Sequence, residues 1–239
     1  MSASTPTVVL VHGAFADAAS WSGVIEELQR EGVAVVAPPN PLRGLASDSA
    51  YIASVAAQID GPVVLVGHSY GGALITVAGT TDNVVGLVYV AAYVLEEGES
   101  LGELQGRFPD SPLVSSLKQW TYPTAEGGTA TEVTIQEEAF PSVFAADVPA
   151  EVTKVLAAAQ RPLALDAFGE KAAAAAWKTK PSWALVAGAD RAIDPDVERF
   201  GAERAAATVV EIDGASHAVA VSQPKDVARI ILDAVRATA

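Results

Sequence analysis

Val63-Val64-Leu65-Val66-Gly67-His68-Ser69-Tyr70-Gly71-Gly72 is the stretch that decides the fold of this chain. Four consecutive aliphatic residues predict a strand buried on both faces, and the glycines after it predict a sharp turn into a helix that continues through Leu74 to about Gly79. A serine on so tight a turn sits in strained backbone, and glycine two positions before and after it avoids collision with the adjoining strand and helix. Gly67 and Gly71 meet that need. The pattern Gly-x-Ser-x-Gly then stands the Ser69 hydroxyl clear of the sheet, and the Tyr70 N–H at the helix start points where an oxyanion would form. A dinucleotide-binding turn is the rival reading. It fails because Ser69 stands where the second glycine belongs, and the strand ending near Tyr93 offers no acidic residue for a ribose.

On either side of this turn, short Val, Leu and Ile runs alternate with helical patterns, as in a parallel sheet covered on both faces by crossover helices. Strands are predicted at Thr7 to Val11, Val33 to Ala37, Val84 to Val90, Trp183 to Ala187 and Thr208 to Ile212. A helix with Trp21, Val24, Ile25 and Leu28 on one face is expected to be capped by Ser20 and stopped by Gly32. A second helix runs from about Ser49 to Ile59, with Ile52, Val55 and Ile59 inward, and ends at Asp60-Gly61-Pro62. Pro224 starts a last helix that faces inward with Val227, Ile230, Ile231 and Val235. The rhythm breaks between about Leu95 and Lys180, where six prolines divide the chain, Thr129 to Ile135 alternates like one arm of a hairpin, and Ala172 to Ala176 reads as helix. The expected organisation is a core of residues 1–95 and 181–239 with a mainly helical cap, residues 96–180, inserted before the penultimate strand. Leu104, Phe108, Leu117, Trp120, Phe140 and Phe144 are its candidate pocket residues, most of them expected to form the cap's own core.

A serine of ordinary acidity needs a base. His217, in Asp213-Gly214-Ala215-Ser216-His217 after the last strand, is the candidate, because loops at the carboxyl ends of parallel strands converge. His12 and His68 read as structural: His12 supports the loop after the first strand, and His68 packs beside the turn. The acid that orients the imidazole is assigned to Asp190, two residues past Gly188, whereas Asp194, directly before Pro195, reads as a helix N-cap. In His12-Gly13-Ala14-Phe15 the glycine lets the loop fold back over Ser69, which makes the Ala14 N–H the second oxyanion donor beside that of Tyr70. Tyr70, Phe15 and Trp21 are expected to border the site or to pack behind it.

Composition bounds the partners. The 239 residues carry 15 basic and 29 acidic side chains, a formal charge of −14, which sets the field against nucleic acid and anionic membranes. With no cysteine, thiolate chemistry and a zinc-thiolate site are excluded, and three scattered histidines leave little for a histidine-rich cluster, so any metal would have to sit on carboxylates; no metal and no cofactor are expected. Half of the residues are hydrophobic, yet no run approaches the roughly 20 of a membrane span. The start, Met-Ser-Ala-Ser-Thr-Pro, lacks a basic segment, so a cytoplasmic location is expected. Oligomeric state is left open, with a homodimer allowed.

With Ser69, Asp190, His217 and the His-Gly loop in place, the chain resembles the α/β-hydrolase superfamily, and within it the small branch of plant methyl-ester hydrolases and hydroxynitrile lyases. The motifs that carry this are His12-Gly13-Ala14, Trp21, Gly67 to Gly72, Tyr89-Val90-Ala91-Ala92 and Gly214-Ala215-Ser216-His217. The resemblance implies an α/β-hydrolase fold with a sheet of about six mostly parallel strands, a cap after Ala92, no cofactor, and a small-molecule ester as substrate. Two departures discriminate between the branch's activities. The lyases carry threonine where this chain has Gly13 and lysine where it has Ala218, and an alanine cannot stabilise a departing cyanide. The expectation is a carboxylesterase working through an acyl-enzyme, with acyl transfer to alcohols as an extension. A hydroxynitrile lyase and a slow-turnover ligand sensor are the alternatives.

Overall fold

The computed structural model describes residues 5–125 and 127–239. Its centre is a sheet of six parallel strands: β1 (Thr7–Val11), β2 (Val35–Val36), β3 (Val63–His68), β4 (Val84–Val90), then β8 (Ser182–Ala187) and β9 (Thr208–Ile212), in the order β2-β1-β3-β4-β8-β9. Alternate residues of the strands face two separate cores, as a period of two requires. Val9, Val11, Leu65, Leu87 and Tyr89 pack toward the helices α2 (Leu45–Ala57) and α3 (Tyr70–Ala78). Val8, Leu10, Val64, Val66 and Val88 pack toward α1 (Ser22–Arg30) and the C-terminal helix α10 (Pro224–Thr238). The order reverses between β1 and β3, and their carboxyl ends therefore meet as neighbours, with Val11 paired to Gly67.

Between β4 and β8 the chain forms α4 (Leu101–Gln105), α5 (Pro112–Ser115), a hairpin of β5 (Leu117–Pro123) and β6 (Thr129–Ile135), then α6 (Phe140–Phe144), α7 (Ala150–Ala158) and the short β7 (Leu163–Ala164). The three strands make a small antiparallel sheet. This segment is tied to the large sheet's loops by backbone bonds from Phe15 N–H to Arg161 O, Ala164 N–H to Leu42 O and Ala218 N–H to Phe144 O. Helices α8 (Pro195–Arg204) and α9 (Val219–Ser222) complete the fold. No helix among the described residues is long and apolar enough to cross a membrane.

Four expectations need correction. The first helix is not capped by Ser20: Asp17 accepts the Ala19 N–H and caps a 3-10 turn over Ala18–Trp21 that leads into α1. The strand expected over 33–37 pairs only at Val35 and Val36, at the sheet's edge. Helix α2 starts at Leu45 rather than Ser49, because the Asp48 carboxylate turns back to accept the Arg43 and Gly44 N–H groups ahead of the first turn. The alanine run 172–176 is irregular chain with a bend at Ala173, and it leads into a 3-10 turn from Ala176 to Lys178. Tertiary bonds override helix propensity there. Ala172 exchanges backbone hydrogen bonds with Gly98 and Glu99, and a Cβ on Gly79 would stand 2.8 Å from the Ala176 methyl.

Candidate active site

Ser69 has φ 55° and ψ −121°, a positive φ that a serine adopts only under constraint. The constraint is steric. A Cβ on Gly67 would lie 2.4 Å from Gly71 O, and one on Gly71 would lie 2.4 Å from Val11 O, so strand, turn and helix meet at backbone contact. The Ser69 N–H bonds to Val90 O at 3.2 Å, and its carbonyl accepts from Gly72 and Tyr93.

Register carries the loop after β1 to the same point. Gly13 lies two residues past Val11, as Ser69 lies two past Gly67, and a Cβ on Gly13 would stand 2.7 Å from Ser69 Cβ. Among the described residues neither the Ala14 nor the Tyr70 N–H donates to a protein acceptor. Tyr70 is the first residue of the nine-residue α3, whose dipole adds positive character there. Its phenol donates to Asp48 Oδ2 at 3.0 Å, which fixes the helix start. Burial, reinforced by the Asp48 charge, raises that phenol's pKa.

The loops after β8 and β9 run side by side. Gly188 N–H bonds to Ile212 O and Ala189 N–H to Ala215 O, and a Cβ on Gly188 would stand 2.7 Å from Asp213 Cα. His217 Nδ1 thereby meets Asp190 Oδ2 at 2.5 Å. The Asp190 Oδ1 accepts the Ala192 and Ile193 N–H groups at 2.7 and 2.9 Å, so three donors hold the carboxylate. With Nδ1 turned to Asp190, the other ring nitrogen, Nε2, is left without a protein partner among the described residues. Asp194 accepts from Asp196 N–H and caps α8, in the role expected of it.

The other two histidines have their bonding directed elsewhere. His12 donates through Nδ1 to Gly13 O at 2.8 Å and accepts the Asn40 N–H at Nε2 at 2.9 Å; burial lowers its pKa to about 4. It is thus a neutral brace for the Gly13 loop. His68 Nε2 donates to His217 O at 2.8 Å, and burial, with His217 beside it, holds its pKa well below the ordinary histidine range. Asn40, Asp48 and Glu198, which support the Gly13 loop, the start of α3 and the end of β8 beside Asp190, have no local sequence signal; each acts across a gap in the chain.

Beside these residues lies an apolar cavity of about 180 Å³, walled by Phe15, His68, Phe140, Phe144, Leu156 and Ala218 among others. Ser69 and His217 are outside its lining and are 7% and 1% exposed, but each adjoins a wall residue in sequence. Of the aromatic and aliphatic residues named as pocket candidates, only Phe140 and Phe144 reach it. Leu104 is core, Phe108 and Leu117 are partly buried, and Trp120 is 46% exposed. Phe15 lines it, while Tyr70 and Trp21 pack inside the core clusters. Among the described residues no group of three or more His, Asp or Glu side chains converges as metal ligands would.

A strained serine after β3, a histidine after the last strand and a six-stranded parallel sheet define a known class. The α/β hydrolase family model matches residues 8–230, and the chain belongs to that family. Solved structures of similar fold include polyneuridine aldehyde esterase, with TM-score 0.82 at 21% identity over 96% of this chain and 99% of that one. A pyrethroid hydrolase from Sphingobium faniae JZ-2 follows at 0.77 and 22% over 98% of each chain. A methylesterase from Arabidopsis stands at 0.77 and 18% over 97% of this chain and 99% of its own. No curated protein sequence matches.

Proposed function

We propose that this protein is a carboxylesterase in which Ser69 is the nucleophile, His217 the base and Asp190 the acid that orients it. The observation that carries this reading is the backbone at Ser69, a non-glycine residue at φ 55° beside two N–H groups free of protein acceptors. His217 removes the hydroxyl proton as Ser69 attacks the ester carbonyl, and the Ala14 and Tyr70 N–H groups hold the tetrahedral oxyanion. The imidazolium returns its proton to the leaving alcohol. Water, deprotonated by the same histidine, then releases the acid from the acyl-enzyme.

Residues 96–180 serve as the cap in this reading, with α6 and α7 supplying Phe140, Phe144 and Leu156 to the cavity wall. A mostly apolar space of about 180 Å³ suits a short uncharged acyl or alcohol group. The nucleophile's low exposure also favours acyl transfer when an alcohol competes with water. Against a lyase stand two contacts: a side chain at Gly13 would press on Ser69, and position 218 presents a buried methyl. The family's esterase and hydrolase structures agree with the reading in fold.

Hydrolysis of p-nitrophenyl acetate, butyrate and decanoate by wild type and Ser69→Ala tests it. Turnover of the two shorter esters that vanishes in Ser69→Ala is expected; equal rates in both proteins would refute the assignment.

A further inference from the structure

Glu198 lies on α8, 3% exposed. Its Oε2 accepts the Ala187 N–H at 3.0 Å, and its Oε1 is sealed from solvent without a donor among the described residues. The Asp190 N–H donates to Ala187 O at 3.0 Å while Glu198 takes the N–H of the same residue, so both acids converge on the end of β8, and the Asp190 carboxyl is the hydrogen-bonding neighbour that acts on Glu198. Two carboxylates in contact in a dry environment cannot both hold a charge, so one keeps its proton. Three donors, from Ala192, Ile193 and His217, already occupy the Asp190 oxygens as acceptors. Glu198 has one donor, the Ala187 N–H, and a second oxygen that is buried without any donor among the described residues.

The remaining charged or titratable groups around the pair do not neutralise it. The Tyr93 phenol, from the chain after β4, donates to Gln105 Oε1 and is itself held protonated by burial and by the charge of Asp190. Arg199, on α8, is 44% exposed and engaged with Asp196 and Glu211. Arg204 pairs with Glu99. None of the ion pairs among the described residues involves Glu198.

We infer that Glu198 is a protonated acid whose Oε1–H donates to Asp190, which makes it a positioning residue for the Asp190-His217 pair. Burial, followed by the charge of Asp190, raises the Glu198 pKa well above the ordinary carboxylate range, in keeping with that geometry. The bond adds a fourth donor to the Asp190 carboxylate, beside Ala192, Ile193 and His217, and draws off part of its charge. The inference rests on the triad reading above.

Glu198→Gln retains an acceptor for the Ala187 N–H and a donor for Asp190; Glu198→Met retains the length and loses both. The experiment measures kcat and KM on p-nitrophenyl butyrate against pH, and thermal unfolding at about pH 5 and about pH 8. Glu198→Gln is expected to stay within about twofold of wild-type kcat, and Glu198→Met to lose about tenfold in kcat with KM little changed.

The unfolding readout has a definite sign. A carboxyl whose folded pKa is raised gives stability that is full below its unfolded pKa and is lost as pH rises through the folded value. Glutamine does not titrate, so Glu198→Gln should gain in Tm over wild type at about pH 8 and gain less at about pH 5. Loss of kcat in Glu198→Gln equal to that in Glu198→Met, or a Tm difference independent of pH, would overturn the inference. If Glu198→Met does not fold, the pH dependence of the Glu198→Gln difference decides alone. Failure of the esterase reading shows separately, as wild-type turnover that does not depend on Ser69.

Discussion

Position 13 is where a single hydrogen atom in place of a methyl group leaves room beside Ser69, the nucleophile of the proposed mechanism. A Cβ there would stand 2.7 Å from Ser69 Cβ and 2.9 Å from His68 O, and backbone at both ends of that contact is fixed by the sheet. Gly13→Ala must displace the loop that presents the Ala14 N–H. Loss of an oxyanion donor typically costs about 100- to 1,000-fold in kcat. We expect a fall in kcat of that order on p-nitrophenyl butyrate, with a Tm close to wild type; unchanged kcat would remove Ala14 from the oxyanion site. His12 supports the same loop and gives a pH signature. Its folded pKa is lowered from 6.5 to about 4, so its stabilising effect is full above the unfolded value and is lost as pH falls toward 4. Between about pH 7 and about pH 5 this amounts to about 2 kcal/mol. Urea unfolding at those two pH values should show wild type losing about that much more stability than His12→Gln. Equal losses would mean that the histidine is not held neutral.

At the scale of elements, the strands and the turn were legible because each carries its own signal. β4, β6 and β9 run over the residues that periodicity assigns, and Gly67, Ser69 and Gly71 announce their turn by the steric demand of that geometry. The alanine run at 172–176 was misread because propensity is a weak force beside the backbone bonds it makes to residues 98 and 99. The supporting polar residues were invisible for a different reason. Asn40 reaches His12, and Asp48 reaches Tyr70, across 28 and 22 residues, and no spacing rule links them. The pocket was only half legible: alternation and hydrophobicity cannot distinguish Trp120, on the outer hairpin, from Phe144, on α6. Phe144 is the contact between that helix and the site. Its ring lies 4.8 Å from His217 and 4.8 Å from Phe140, and its carbonyl accepts the Ala218 N–H. Phe144→Ala should lower stability by about 3–5 kcal/mol, as large-to-small core substitutions do, and enlarge the cavity. In an ester panel the variant should gain on bulkier substrates relative to butyrate; an unchanged preference would place substrate elsewhere.

The whole molecule brings these parts together through topology. Ser69, Asp190 and His217 come from three loops at the carboxyl ends of β3, β8 and β9, and Gly13 from the end of β1, all on one side of a sheet whose order reverses between β1 and β3. The same architecture persists in structures only 18–22% identical to this chain, as expected when buried alternation and a few backbone contacts specify it. With no cysteine in the chain, the proposed acyl-enzyme has no thiol competitor to Ser69. The most direct measurement is therefore intact-mass analysis after treatment with a short-chain alkyl p-nitrophenyl phosphonate, followed by peptide mapping. The account predicts one adduct per chain, on Ser69, absent in Ser69→Ala and formed far more slowly in His217→Ala. Failure of wild type to react, or an adduct that maps to another residue, would contradict it.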